Sequence, residues 1–242
     1  MRVVAIIQAR MGSTRLPGKV MKDLCGDTVL ARVVHRTRRA QLLDEVVIAT
    51  TIKPADDVIT RECERLGVAC FRGDEADVLD RYYQCALEYK ADAVVRVTSD
   101  CPLIDPELID QHVDRLLTRW NEVDFVTNML RQTYPLGLAV EALPTDVLAR
   151  MKRMSQTDEL KEHVTTLAYM QPDLFQIENV VYDSDLSYMR WTVDTAEDLE
   201  VVRLIVNHFG HDKFRWTEIL PLLEKYPEWM QINQHVVQKI VG

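Results

Sequence analysis

The chain has 242 residues, 47% of them apolar and 28% charged, enough for a core that needs neither disulfides nor metals. Its formal charge of −9 argues against general binding to nucleic acid or to an anionic membrane, since both reward a basic face. No apolar run approaches the ~18–20 residues of a membrane span.

Val3–Ile7 follows Met1-Arg2 too briefly for a signal peptide and reads as a buried first strand. Glu45–Thr50, Val68–Phe71 and Ala93–Thr98 are further β-branched, nearly continuous apolar runs, as buried parallel strands should be. Helical spacing fills the intervals at Val29–Gln41, Ala55–Leu66 and Ala76–Tyr89. This alternation predicts an α/β fold, a three-layer α/β/α sandwich around a mostly parallel mixed sheet. Its ligand site should lie beyond the carboxyl ends of the strands.

In the second half, Asp105 caps a helix that begins at Pro106. Strands are expected at Phe125–Met129 and Leu138–Ala142 around the turn Tyr134–Gly137, and again at Phe175–Tyr182 and Trp191–Val193. Helices are expected at Thr145–Met154, Asp158–Met170, Ala196–Phe209 and Thr217–Lys225. No linker or repeat divides the chain, so residues 1–242 are read as one domain. Five scattered cysteines (Cys25, Cys63, Cys70, Cys85, Cys101), never in C-x-x-C spacing, suit reduced thiols in a cytoplasm.

Charge is unevenly spread. Residues 1–40 carry nine basic groups and two acidic ones, leaving the remainder at −16. Part of that excess lies in Gln8–Lys19, directly after the first strand. Gly12 and Gly18 permit close backbone approach, Ser13 and Thr14 offer hydroxyls, and Arg10, Arg15 and Lys19 supply three cations. Backbone N–H groups beside fixed cations are what a polyphosphate requires, although arginines are also common in solvated loops. The spacing is neither that of a Walker A loop nor of a dinucleotide fingerprint. Arg36, Arg38 and Arg39 are expected on a solvated helix face.

Asp100 and Asp194 each follow a predicted strand, where remote segments can converge on one cation. Mg2+ takes one or two carboxylates together with phosphate oxygens. A turn role would also explain an aspartate at a strand end. Asp105 is explained as an N-cap, and Thr195 with Asp198 as a capping box. Asp183 and Asp185 form a D-x-D pair that is either a competing metal site or plain loop.

The stretches Gln8–Lys19, Phe71–Tyr83, Arg96–Pro106, Glu162–Thr165, Arg190–Leu199 and Ile232-Asn233 together resemble the cytidylyltransferases that activate acidic sugars. These include the synthetases of CMP-sialic acid and CMP-3-deoxy-manno-octulosonate, and the nearest branch is that of spore-coat polysaccharide biosynthesis protein F. The resemblance spans essentially the whole chain. It implies a nucleotide-diphospho-sugar transferase-like fold and transfer of CMP from CTP to a small acidic acceptor, with release of pyrophosphate. It also implies a Mg2+ cofactor on Asp100 and Asp194 and, as in related enzymes, a homodimer. We expect Arg10, Arg15, Lys19 and Asp100 to be catalytic, and Gln8, Ala9, Gly12, Ser13 and Ser99 to join them around the nucleotide. Asp80 and Arg81 would form its wall, although a helix surface explains either as well. Glu141 and His163 would face the acceptor, with a structural histidine the alternative for His163. The family pattern often has an acidic residue before Val140-Glu141, where this chain has Ala139, so the acceptor stays open. Two other functions are consistent with the sequence: a nucleotide-sugar glycosyltransferase using Asp183 and Asp185, and a non-catalytic nucleotide-binding protein.

Overall fold

Strand β1 (Val3–Gln8) is apolar in consecutive positions because both its faces are covered. In the computed structural model, which describes residues 1–238, Val3, Ala5 and Ile7 enter one core while Val4 and Ile6 enter another across the sheet. Strands β2 (Glu45–Thr51) and β4 (Ala93–Thr98) flank β1 in parallel, and β3 (Ala69–Gly73) extends the sheet beyond β2. On the other side β6 (Glu141–Pro144) runs antiparallel to β4 and to β5 (Phe125–Thr127), while β7 (Ile177–Asn179) pairs in parallel with β5. The seven-stranded order is β3-β2-β1-β4-β6-β5-β7.

Helices α1 (Val29–Thr37), α2 (Asp57–Leu66), α4 (Pro106–Thr118), α8 (Ala196–Phe209) and α9 (Trp216–Lys225) supply the first core. The second belongs to α3 (Val78–Glu88), α5 (Thr145–Met154), α6 (Asp158–Glu162) and α7 (Thr166–Met170). A last helix, α10 (Glu228–Asn233), packs on α8. The expected caps are in place: Asp105 accepts from Glu107 N–H at 2.9 Å, and Thr195 with Asp198 closes a capping box.

Several expected elements are corrected. The helix expected at 158–170 is interrupted between α6 and α7: His163 caps the end of α6 at φ −114° and ψ 49°, and the Thr165 hydroxyl donates to the Glu141 carboxylate. The strand expected at Leu138–Ala142 begins only at Glu141, because the buried Asn128 side chain takes the backbone of Leu138 and Val140 in place of a neighbouring strand. Trp191–Val193 joins no ladder: Trp191 N–H donates to the Leu136 carbonyl and Val193 N–H to that of Asp100, each at 2.7 Å. The helix α10 was not expected at all.

Arg36 is also corrected. It does not lie on a solvated face but is wholly buried on α1, where it donates to the carbonyls of Ile104, Asp212 and Phe214. Burial lowers its pKa to about 10, so it stays charged and ties α1 to the loop after β4 and to the α8–α9 connection. Arg38 is exposed as expected, and Arg39 is half-buried on the carbonyls of Asp212 and Lys213.

Candidate active site

Where β1 ends, the chain folds into a closed loop. Gly18 N–H and Ser13 N–H both donate to the Met11 carbonyl, at 3.2 and 2.9 Å, so residues 11–18 return on themselves. Gly18 closes the turn at φ +66°, and a Cβ there would stand 3.0 Å from the end of the Met11 side chain. The buried carboxylate of Asp56, just before α2, accepts Met11 N–H at 2.7 Å and also the Thr51 hydroxyl, anchoring the loop from behind.

The loop borders a cleft of about 350 Å³ at the carboxyl edge of β1 and β4. Gln8, Ala9, Arg10, Gly12, Ser13, Arg15 and Lys19 line it from the loop side. Ser99 and Asp100 enter from β4, Arg81 from α3, His163 from the end of α6, and Asp194 from the segment before α8. Of the expected site residues, these share one cavity.

Asp80 and Glu141 do not line it. Asp80 points to α5, where it accepts from Lys152 at 2.6 Å and Gln84 at 3.0 Å. Adjacent helix residues lie about 100° apart, so Arg81 can face the cleft only if Asp80 faces elsewhere. Glu141 is buried beneath the floor on Arg96, with its other oxygen held by Thr165 and Tyr169. Arg96 in turn donates toward the Gln8 side-chain oxygen at 3.4 Å, so Glu141 reaches the cleft only through two other residues. Asp183 and Asp185 lie on an exposed loop away from the cleft, and Asp185 accepts Ser187 N–H as an ordinary turn residue.

The two remaining aspartates converge. Lys19 Nζ stands 2.7 Å from Asp100 Oδ2 and 2.8 Å from Asp194 Oδ1. Arg15 and Arg190 both pair with Asp194 Oδ2 at 2.8 Å. Burial works against the charge on Lys19, but Asp100 and Asp194 outweigh it and raise the ammonium pKa. Burial likewise opposes ionisation of Asp100, yet Lys19 holds its carboxyl below the usual value. Both carboxylates thus reach a single cationic atom, and their hard oxygens suit Mg2+ completed by phosphate oxygens. Among the described residues no set of three or more His, Cys, Asp or Glu is arranged to hold a metal unaided.

Arg81 is 3% exposed, donates one N–H to the Asp74 carbonyl and makes no ion pair among the described residues, while its Nε has no partner. A buried guanidinium with spare donors favours an anion or carbonyl oxygen in the cleft. At the outer rim Arg10 meets Glu162 at 3.3 Å beside His163. Cys101 packs under Asp100, where burial pushes its thiol pKa well up and favours the packing role.

Arg190 and Asp56 were missed as functional residues. Arg190 sits four before Asp194 and eight before Asp198, a spacing that means nothing until the turn at 192–195 brings the three together.

A cationic loop at a strand end, facing two convergent carboxylates, equips a protein to handle a polyphosphate. The sequence model of the cytidylyltransferase family matches residues 4–236, and the chain belongs to that family. It is 36% identical to an uncharacterized protein of Methanocaldococcus jannaschii, over 99% of this chain and 97% of that one. It is 32% identical to spore coat polysaccharide biosynthesis protein SpsF of Bacillus subtilis, over 93% and 95%. A cytidylyltransferase structure from Leptospira borgpetersenii shares the fold with a TM-score of 0.93, at 31% identity over 99% of both chains.

Proposed function

We propose that this protein is a Mg2+-dependent cytidylyltransferase that transfers CMP from CTP to an acidic sugar or related small acidic acceptor, releasing pyrophosphate, in the assembly of a surface polysaccharide or glycoconjugate. The observation that carries this reading is the shared hold of Lys19 on Asp100 and Asp194 at the edge of the cationic loop.

In this reading Arg10, Arg15 and Lys19 bind the triphosphate and offset charge building on the leaving pyrophosphate. Gln8, Ala9, Gly12, Ser13 and Ser99 line the nucleotide, and Arg81 offers it unused donors. Asp100 and Asp194 hold the magnesium ion. When bound, that ion neutralises phosphate charge and fixes the phosphate geometry. Lys19 and Arg15 already point into the cleft, so they can exchange carboxylate partners for phosphate oxygens without leaving it. His163 lies at the rim where a small anionic acceptor would enter, its hydroxyl then aligned for in-line attack on the α-phosphorus. The link to polysaccharide assembly is supported by the likeness to SpsF.

The cytoplasm, which contains CTP, is the expected compartment, and free Cys25, Cys63, Cys70, Cys85 and Cys101 fit it. No helix among the described residues is long and apolar enough to cross a membrane. The homodimer expected from the resemblance would use the segment of α6 and α7 with its neighbouring strands, where Met170 is exposed. Light scattering tests it.

The function is tested by pyrophosphate release across the four nucleoside triphosphates with a panel of sugar acids and phosphonates. Release with CTP, needing both Mg2+ and an acidic acceptor and lost in D100N, is the expected result. Release without a cation requirement, or sugar transfer from a nucleotide-sugar without pyrophosphate, overturns it. The exposed position of Asp183 and Asp185 gives the glycosyltransferase reading no support. The site's intact charges likewise do not favour a non-catalytic binder.

A further inference from the structure

We propose that Arg190 is a positioning residue that holds Asp194 in its cation-binding orientation, as the inner link of a buried chain running from Asn233 through Asp198. The inference rests on the reading of Asp194 as a magnesium ligand.

Asp194 stands on no strand, so no ladder fixes its backbone. Asp198 supplies that constraint: its Oδ2 accepts the N–H of Asp194 at 3.0 Å and of Thr195 at 3.1 Å. Arg190 constrains the side chain. Its planar fork grips Asp198 in a bidentate pair, Nε to Oδ1 at 2.8 Å and Nη2 to Oδ2 at 3.0 Å. The same Nη2 donates to Asp194 Oδ2 at 2.8 Å. Asn233 completes the chain from α10, its Nδ2 donating to both Asp198 Oδ1 and the Arg190 carbonyl at 2.9 Å. Asp198 is wholly buried, and Arg190 and Asn233 nearly so.

Among the described residues three cations touch Asp194, and two of them line the cleft. Lys19 and Arg15 are there to be drawn away by a triphosphate. Arg190 lies behind Asp194, outside the cleft and already neutralised by Asp198, so nothing in a nucleotide competes for it. Once the other two turn to phosphate, Arg190 is the cation among the described residues that still fixes the Asp194 carboxylate. A lysine cannot replace it, because a point charge on a flexible stem does not hold two carboxylates in one plane.

A purely structural ion pair would also be buried here, so the test must read cation binding as well as stability. Mn2+ binding in the presence of CTP, followed by electron paramagnetic resonance, is measured for wild type, R190K, N233A and D194N, each with its Tm. In R190K the Mn2+ dissociation constant should rise about tenfold, the usual scale for losing a residue that orients a metal ligand. The Mg2+ concentration giving half-maximal rate should rise in parallel, and kcat should recover at saturating Mg2+. N233A keeps every charge and covers the case of R190K failing to fold. It should weaken Mn2+ binding measurably but by less than R190K does, consistent with its more distant place in the chain. A folded R190K or N233A that loses Tm but binds Mn2+ like wild type, while D194N does not bind it, overturns the positioning role alone. Wild-type Mn2+ affinity in D194N overturns the ligand reading beneath it.

Discussion

Val193 donates its backbone N–H to the carbonyl of Asp100 over 2.7 Å, and this bond brings two carboxylates remote in the chain to face one point. The Thr192 hydroxyl reinforces it on the same carbonyl at 3.1 Å. On its far side the segment is held by Leu136, which exchanges backbone hydrogen bonds with Met189 and Trp191.

Gly137 makes that approach possible. It adopts φ +108°, and a Cβ there would lie 2.7 Å from the Trp191 carbonyl carbon and 2.8 Å from Thr192 N, both main-chain atoms. G137A must therefore push away the segment that carries Asp194. We expect a loss of about 1–3 kcal/mol in urea unfolding, with a fall in pyrophosphate release larger than the stability change explains. Wild-type activity in a folded G137A would show that Asp194 does not depend on this contact.

Lys19 is the cation with the most to lose. K19M should lower kcat for pyrophosphate release by about 10²–10³, the scale of removing a donor aimed at developing charge. Its raised pKa keeps the ammonium charged through neutrality and past the ordinary lysine value, so no basic limb from Lys19 should appear below pH ~10. Steady-state kinetics across pH check both statements.

Neighbouring Asp80 and Arg81 should separate cleanly. D80A removes a surface pair with Lys152 and should leave kcat/KM for CTP within about twofold. R81M removes a buried guanidinium that lines the cleft and should raise KM for CTP about tenfold or more, as expected for losing a charged hydrogen bond. Equal effects in the two variants would refute the placement.

Arg36 and Arg38 offer the same contrast for stability. R36A empties a buried position and orphans the carbonyls of Ile104 and Phe214, Arg39 still holding that of Asp212, so about 3 kcal/mol or more should be lost in chemical denaturation. Arg38 is exposed on the carbonyls of Leu66 and Gly67, and R38A should cost no more than roughly 0.5 kcal/mol.

His112 sets a pH dependence. Burial in α4 pushes its pKa down to about 4, although the Leu108 carbonyl favours the charged form. The unfolded chain protonates it near 6.5, so between these values the unfolded state binds more protons. Stability is complete above pH ~6.5 and falls by roughly 1 kcal/mol per pH unit as pH drops toward about 4. H112L should flatten that part of the stability curve. A slope unchanged in H112L would assign it to another group.

Period and composition made much of the fold legible. Strands β1, β2 and β4 announce themselves because both faces are covered, while β3, expected buried, is a half-buried edge strand; α5 and α8 match their apolar spacing to the residue. Where the approach to a strand is held by side chains, the pattern fails: Asn128 acts as a surrogate strand for Leu138 and Val140 ahead of β6, and no periodicity encodes that. In the site, residues contiguous in one loop were legible together, because a local motif carries its own spacing. Glu141 and Asp80 were misplaced because a charged residue in a motif looks the same whether it meets ligand, Arg96 or Lys152.

The basic excess of residues 1–40 shows where tertiary structure decided. By itself the sequence placed Arg10, Arg15 and Lys19 in a loop at a strand end and set Asp100 and Asp194 at the ends of apolar runs, since local pattern alone determines that. That Lys19 bridges the two aspartates, that Arg190 backs one of them, and that Arg36 is core instead of surface depend on contacts between distant segments. Charge counts carry no information on pairing. Only folding brings opposite charges within about 3 Å, where low solvent exposure makes the interaction strong enough to define a site.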